Sequence, residues 1–211
     1  MKIVVFGATG GTGRAIVEGA LARGHVVVAV AQKPDAFPLR HALLTVTKGD
    51  VMDAGSLVEP VRGADAVLSA IGVKNNKETT VFSVGTAHIL NAMRSAKVKR
   101  FLGVTSVGVE AEDPSFGFVY GTIMRRFFIN RIYADMRRME SLVRAANDVE
   151  WTLVRPGRLT DDPGRGSYRT SIGKMPPTRR GGVIARADLA HLMLEALEDK
   201  TYLRQHVAVV Y

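Results

Sequence analysis

The sequence predicts a single-domain α/β fold, a doubly wound and mostly parallel sheet with helices on both faces. Three observations carry this. Strand-like and helix-like patterns alternate along most of the 211 residues, without repeats or low-complexity tracts, and such alternation marks parallel strands joined by crossover helices. The strand-like segments are short, nearly continuous apolar runs, as expected of strands buried on both faces. The first of them ends in a glycine turn that opens directly into a helical pattern.

That stretch is Met1 to Arg14, MKIVVFGATGGTGR. Ile3, Val4, Val5 and Phe6 form the strand, and Ala15, Ile16, Val17, Ala20 and Leu21 recur at helical spacing. Between them Gly7-Ala8-Thr9-Gly10-Gly11-Thr12-Gly13 sets glycines as Gly-x-x-Gly-x-x-Gly. Gly7 permits the tight turn, and Gly10 lets a pyrophosphate approach with no Cβ in the way. Gly13 lets the helix pack close on the strand. The free N–H groups and positive dipole end of that helix face the phosphates. A strand before and a helix after are what give a glycine motif this meaning.

Composition bounds the rest. Hydrophobic residues make up 46% of the chain, and there is no cysteine, which excludes a disulfide framework, a thiolate metal site and a cysteine nucleophile. The first strand starts almost at Met1, leaving no room for a signal peptide. No apolar run approaches the roughly 18 residues of a membrane span. A cytoplasmic location is expected. The net charge of +9, from 29 Lys+Arg against 20 Asp+Glu, favours small anionic ligands. With no nucleic-acid recognition motif in the chain, the expected partner is a small anionic or planar substrate, not nucleic acid or membrane. Oligomeric state stays open.

The elements follow in order. His25 to Ala31 is the second strand, after which come Gln32, Lys33 and Pro34, with no acid until Asp35. An acid at this strand end would accept from adenosine ribose hydroxyls and repel a 2′-phosphate. Its absence, with Lys33 and Arg14 nearby, favours NADP over NAD. Leu43 to Thr47 is the third strand. Asp50 beyond it is placed either to bind an adenine amino group, with Val51 against the ring, or to serve as an N-terminal cap or turn residue near the short helix Ala54 to Val61. Ala66 to Ile71 is the fourth strand, ending at Gly72, where backbone passes close to a ligand. A polar loop, 73–78, leads to a helix over Thr79 to Ala96.

Arg100 to Thr105 is the fifth strand. Ser106 just past it is a hydroxyl for the nicotinamide end or a substrate carbonyl, or an ordinary turn residue. A loop over 110–117 precedes a long helical pattern from Val119 to Ala146, broken near Asn130. Its arginines 125, 126, 131, 137, 138 and 144 read mostly as a solvated face. Trp151 to Arg155 is the sixth strand, ended by Pro156-Gly157. Residues 158–182, rich in Gly, Pro, Arg and Asp, read as irregular with a short strand near Tyr168 to Ser171. The last helix starts around Ile184 with Asp188 in its first turn, and His206 to Val210 closes the sheet. A small substrate-side region is expected from about 108–130 and 158–182.

These residues, taken together, resemble the atypical short-chain dehydrogenase/reductases, the Rossmann-like branch with flavin reductase/biliverdin-IXβ reductase and NmrA-like proteins. The resemblance covers nearly the whole chain. It is carried by GATGGTGR, Gly49-Asp50-Val51, Ala70-Ile71-Gly72, Val104-Thr105-Ser106, Asp135 to Glu140, Glu150 to Leu159, Leu159 to Gly164 and Ile184 to Leu189. It implies that Gly7, Thr9, Gly10, Gly11, Thr12, Gly13 and Arg14 hold pyrophosphate and ribose. Asp50 and Val51 would take adenine, and Ala70, Ile71 and Gly72 the cofactor's middle. Thr105 and Ser106 would lie by nicotinamide, with Pro156 and Gly157 as a wall. The family's usual 2′-phosphate arginine is Gln32 here, with Lys33 beside it.

One departure bears on mechanism. Carbonyl-reducing short-chain dehydrogenases use Tyr-x-x-x-Lys, the lysine lowering the tyrosine pKa. Here Tyr133 is followed four residues on by Arg137, which differs from lysine in geometry and hydration. Flavin reduction asks less of a protein, since hydride passes between stacked rings. The leading expectation is an NADPH-dependent reductase of a flavin, tetrapyrrole or quinone, with Ser106 an orienting donor. The alternative is a non-catalytic NADP(H) redox sensor of the NmrA-like type. A sugar-nucleotide epimerase or dehydratase is the weakest reading.

Overall fold

The computed structural model describes residues 1–73, 79–109, 130–178 and 182–211. β1 (Lys2–Phe6) runs into α1 (Gly11–Ala22) and then β2 (Val26–Ala31). β3 (Leu44–Lys48) follows, then α2 (Val58–Val61), β4 (Ala66–Ser69), α3 (Val81–Ser95) and β5 (Arg100–Val104). After α4 (Asn130–Ala145) come β6 (Glu150–Pro156), β7 (Arg158–Thr160), β8 (Arg169–Ile172) and β9 (Val183–Ala185), with α5 (Arg186–Glu195) and β10 (Gln205–Val210) last.

The main sheet has the order β3-β2-β1-β4-β5-β6-β10-β8. All its pairings are parallel except β10 with β8, which is antiparallel. The order reverses between β1 and β4, the switch point at which open α/β sheets bind ligands. Helices cover both faces, so the central strands are apolar on both. Along β1, Ile3 and Val5 join the core beneath α1 and α5, while Val4 and Phe6 join the core beneath α3 and α4.

Two buried polar side chains lock the helices to this frame. Arg100, at the start of β5, donates to the Ala196 and Leu197 carbonyls at the end of α5 and to the Glu150 carbonyl. Burial pushes its pKa down to about 10, so it stays charged at neutral pH and satisfies helix-end carbonyls that lack partners of their own. Asp135 of α4 is fully buried and accepts from the Phe82 and Ser83 N–H groups and from the Ser83 hydroxyl. It caps α3 from a neighbouring helix, supplying what the local Thr80 side chain does not.

The structure departs from the sequence reading mainly after β6. Residues 158–182 are not simply irregular: β7 pairs in parallel with β9 as a separate two-stranded sheet, and β8 falls at 169–172. Ile184 belongs to β9, and the last helix begins at Arg186. α3 begins at Val81, two residues later than expected. Of the long helical pattern, Asn130–Ala145 is described. The loop over 110–117, Arg125, Arg126 and most of the region around 108–130 lie outside the described residues.

Candidate cofactor and acceptor site

Because the strands are parallel, their carboxyl ends share one edge. Along it stand, in sheet order, Asp50-Val51 after β3, Gln32-Lys33 after β2, Gly7 to Gly13 after β1, Ala70 to Gly72 after β4, Thr105-Ser106 after β5 and Pro156-Gly157 at β6. Neighbouring strands are about 4.8 Å apart, so β2 to β5 spans roughly 14 Å. The order matches an extended dinucleotide: adenine, ribose, pyrophosphate, second ribose, nicotinamide.

At the centre, two glycines are demanded by the fold. Gly7 has φ +72°, and a Cβ there would fall 2.4 Å from the Ala70 carbonyl oxygen. A Cβ on Gly13 would fall 2.1 Å from the Gly7 oxygen, so strand and helix touch through backbone. Gly10 is different. Its backbone is extended, and a Cβ would meet only the Gly7 oxygen at 3.4 Å. A Cβ on exposed Gly72 would meet nothing within 4 Å. The chain therefore does not use the bareness of Gly10 and Gly72, which both face the switch point. α1 has no side-chain cap and no acid in its first turn, so its N–H groups and dipole are open to an anion. These residues fit a pyrophosphate. Thr9 and Arg14 are exposed and Thr12 is buried. One residue absent from the sequence reading joins them: the Arg186 side chain lies against Gly11, and its guanidinium pairs with Asp161 at 2.7 Å.

At the adenosine end, Gln32 Nε2 donates to Asp50 Oδ2 at 2.8 Å. Asp50 Oδ1 accepts from the Met52 N–H at 2.9 Å. Asp50 thus serves as a turn residue, while the cap of the following helical turn is Asp53, accepting from the Gly55 N–H. Val51 packs where a Cβ on Gly85 would be, and its carbonyl accepts from His88 Nδ1 at 2.9 Å. Lys33 is exposed and makes no side-chain bond among the described residues.

At the β5 end of the edge, Ser106 is half-buried and its Oγ accepts from the Gly108 N–H at 3.2 Å. The Tyr133 ring covers Gly108 so closely that a Cβ there would fall 2.4 Å from the ring. Arg137 donates to the Val109 carbonyl at 3.4 Å. Ser106, Tyr133 and Arg137 thus meet in one corner, while Arg131, Arg138 and Arg144 face solvent as expected. Pro156 and Gly157 are buried; a Cβ on Gly157 would strike the Gly182 carbonyl at 2.6 Å, so its bareness serves that backbone contact.

Behind Thr105 lies a buried ion pair that the sequence reading missed. Arg155 Nε donates to Glu140 Oε1 at 2.9 Å and its NH2 to Oε2 at 2.6 Å, a bidentate pair. Thr105 Oγ1 also donates to Oε1, at 2.8 Å. The legible signal was Arg155 itself, a charge inside an apolar strand, which requires a buried partner. His206 stands beside the pair, its Nε2 3.7 Å from Glu140. Burial, then the charge of Arg155, lower the His206 pKa against the opposing pull of Glu140. A lowered histidine pKa means the unfolded chain binds the proton first. Stability conferred by neutral His206 is therefore full above its ordinary pKa and is lost as pH falls through 6.5 toward the folded value. Melting temperatures should fall between pH 7 and 6, and His206→Phe should flatten that slope.

The segment after β7 is held by Asp188, buried in the first turn of α5. It accepts from the Arg165 and Gly166 N–H groups at 2.7 and 3.1 Å and from the Tyr211 hydroxyl at 2.5 Å. Burial works to raise its pKa, but these hydrogen bonds outweigh it and hold the carboxyl below the usual range. A surface cleft of ≈ 560 Å³ beside β3 is lined by Pro34 and Asp35, just past Lys33, and by His41 and Ala42, and another of ≈ 500 Å³ between Arg23 and Asp199 lies away from this edge. Among the described residues, no three His, Asp or Glu side chains converge to hold a metal, and no helix is long and apolar enough to cross a membrane.

The sequence model of a family described as NAD(P)H-binding matches residues 7–200. The chain belongs to that family. Among the relatives of this NAD(P)H-binding protein, the oxidoreductase stcQ of Emericella nidulans is 28% identical over 98% of this chain and 81% of its own. A Streptococcus pneumoniae protein provisionally named an NADH-flavin reductase superposes with a TM-score of 0.80 at 22% identity, covering 100% of this chain and 99% of that one. A wide-type short-chain dehydrogenase/reductase of Veillonella parvula, solved with NADP, gives 0.79 at 18% identity, covering 100% and 94%. At these identities the two structures speak to fold alone. The fold is Rossmann-like and fits the atypical short-chain dehydrogenase/reductases.

Proposed function

We propose that this NAD(P)H-binding protein is a reductase that delivers hydride to a flavin or a similar planar conjugated acceptor, such as a tetrapyrrole or quinone. The carrying observation is the corner at the nicotinamide end, which offers Ser106 and Tyr133 but no lysine, with Arg137 four residues after the tyrosine and Met136 nearer the position that matches the family's lysine. Bound NAD(P)H supplies the hydride, and a conjugated acceptor accommodates the electrons in its own rings. The chain's part is orientation. The α1 N–H groups fix the pyrophosphate over Gly10. The Ser106 Oγ accepts from Gly108, which leaves its proton to donate to a carboxamide or an acceptor carbonyl. Arg137 ties the Val109 carbonyl to α4 beside this corner, and the segment that Asp188 ties down walls the acceptor side.

Lys33 and Arg14 would attract a 2′-phosphate, but both are exposed and do not by themselves set a preference for NADP(H). The reaction consumes reduced nicotinamide stoichiometrically, so it needs a compartment that regenerates it, and we place the protein in the cytoplasm. The test is steady-state oxidation of NADH and NADPH with FMN, FAD, biliverdin and quinones. Turnover with one class identifies the acceptor. Tight binding with no turnover for any of them removes the reductase reading and favours the redox sensor.

The position of Tyr133 beside Ser106 favours a second reading, reduction of an isolated carbonyl with Tyr133 as proton donor. Tyr133→Phe separates the two. A flavin-type acceptor predicts turnover within about twofold of the parent, whereas loss of a general acid costs roughly 10²-fold or more.

A further inference from the structure

The geometry points to Gln32, oriented by Asp50, as the residue that makes this chain select NADH over NADPH. This rests on the reading that the β1–α1 turn holds a dinucleotide.

The carboxyl end of β2 is where an adenosine ribose lies in a doubly wound sheet, and the group there decides whether a 2′-hydroxyl or a 2′-phosphate is welcome. Glutamine is ambiguous at such a place. Its amide has a donor branch, which suits phosphate, and an acceptor branch, which suits a hydroxyl. In this chain Asp50 fixes which way the amide turns and occupies one of its two donor hydrogens. A carboxylate only accepts, so Gln32 must turn Nε2 to it, and does so at 2.8 Å. The planar amide then sets Oε1 on the opposite branch, away from Asp50. No donor among the described residues reaches Oε1. Gln32 keeps that carbonyl oxygen and the second Nε2 hydrogen without a bond among the described residues. A ribose 2′-hydroxyl can use both, whereas a phosphate, whose ionised oxygens only accept, can use the hydrogen alone and is opposed by the oxygen and by the Asp50 charge.

Asp50 is itself fixed. Its Oδ1 takes the Met52 N–H, and its own N–H donates to Ser56 Oγ at 3.0 Å. Its negative charge therefore stays one hydrogen bond from Gln32. A 2′-phosphate docked there would lie within the screening length of about 8 Å at physiological salt. Turning the amide over to greet a phosphate would break the bond to Asp50 and set Oε1 against its carboxylate. β3 thus supplies the acid that β2 lacks. Lys33 and Arg14 oppose this selection, but both are exposed and neither is oriented by a side-chain bond among the described residues. Exposed, unoriented cations contribute weakly.

The test is the dissociation constants of NADH and NADPH, measured by calorimetry on the whole chain, for the parent and for Gln32→Arg, Asp50→Asn and Lys33→Ala. The parent should bind NADH more tightly by about tenfold, the scale of one hydrogen bond set against an unpaired group. Gln32→Arg should reverse the preference. Asp50→Asn should narrow it, because an amide at position 50 no longer dictates how Gln32 turns. Lys33→Ala should leave the ratio within about twofold. Equal or tighter binding of NADPH by the parent overturns the inference while leaving the dinucleotide site intact, as does an unchanged ratio in Gln32→Arg. Binding of neither nucleotide overturns the dinucleotide site itself, and the inference with it. Gln32 is exposed, so thermal melts of its variant should match the parent.

Discussion

Gly10→Val abolishes binding of both NADH and NADPH while the protein melts close to the parent temperature. A valine Cβ at position 10 meets only the Gly7 oxygen at 3.4 Å, and the extended backbone there suits a β-branched residue. The cost falls on the ligand instead. The valine methyl groups occupy the space above the α1 N–H groups that a pyrophosphate needs. Two charge-assisted hydrogen bonds lost at about 1.5–3 kcal/mol each amount to roughly 10²-fold or more in affinity. Gly13→Ala provides the contrast, since its Cβ would fall 2.1 Å from the Gly7 oxygen. That variant loses stability by about 1–3 kcal/mol or more through overpacking. Calorimetric titration and thermal melts of the two variants separate the roles. Unchanged affinity in Gly10→Val would refute the pyrophosphate site.

The largest stability effect is expected at Glu140. Its side chain is 5% exposed and takes a bidentate pair from Arg155 plus the Thr105 hydroxyl. Glu140→Ala leaves the Arg155 charge buried without its carboxylate, a loss of about 3–5 kcal/mol. For a chain of this size that lowers the melting temperature by roughly 10 °C. The replacement also frees Thr105, so nucleotide bound to the surviving folded protein should show a changed nicotinamide environment by fluorescence. A buried pair is not worth its full Coulomb energy, and Glu140→Met with Arg155→Met should recover most of the lost stability in a urea titration. Failure of the double variant to recover would show that the pair does more than neutralise itself.

These two sites differ in how well the sequence displays them. Gly7, Gly10 and Gly13 act through local backbone geometry within one turn, so strand, glycine spacing and helix pattern suffice to place them. The same holds for the strand ends at Thr105-Ser106 and Ala70 to Gly72, because a parallel sheet brings every carboxyl end to one edge. Glu140 is hidden because its neighbours in DMRRME read as a solvated helix, and its partners lie on β5 and β6. Asp135 is hidden in the same way: it caps a helix 53 positions earlier. Asp188 shows its place in the first turn of α5 but not its hold on Arg165, Gly166 and Tyr211. β7 and β9 span three residues each, too few for a period to register, and only their pairing makes them strands. Gln32 reads as a missing arginine until Asp50 is seen to orient its amide.

The pairing of the last strands carries a consequence for synthesis. β8 joins the sheet through β10, and β7 pairs with β9, so each of the earlier two must wait for a later one. As the chain leaves the ribosome, β1 to β6 can assemble and close the nucleotide edge first. Until Gln205–Val210 emerges, the flank of β6 that β10 will cover stays bare, an apolar WTLV edge open to mispairing. Any nucleotide that bound this intermediate would stabilise it by mass action. The segment at Arg165-Gly166, held by Asp188 together with Tyr211, is then the last part to order, and aggregation during expression should fall as nucleotide supply rises.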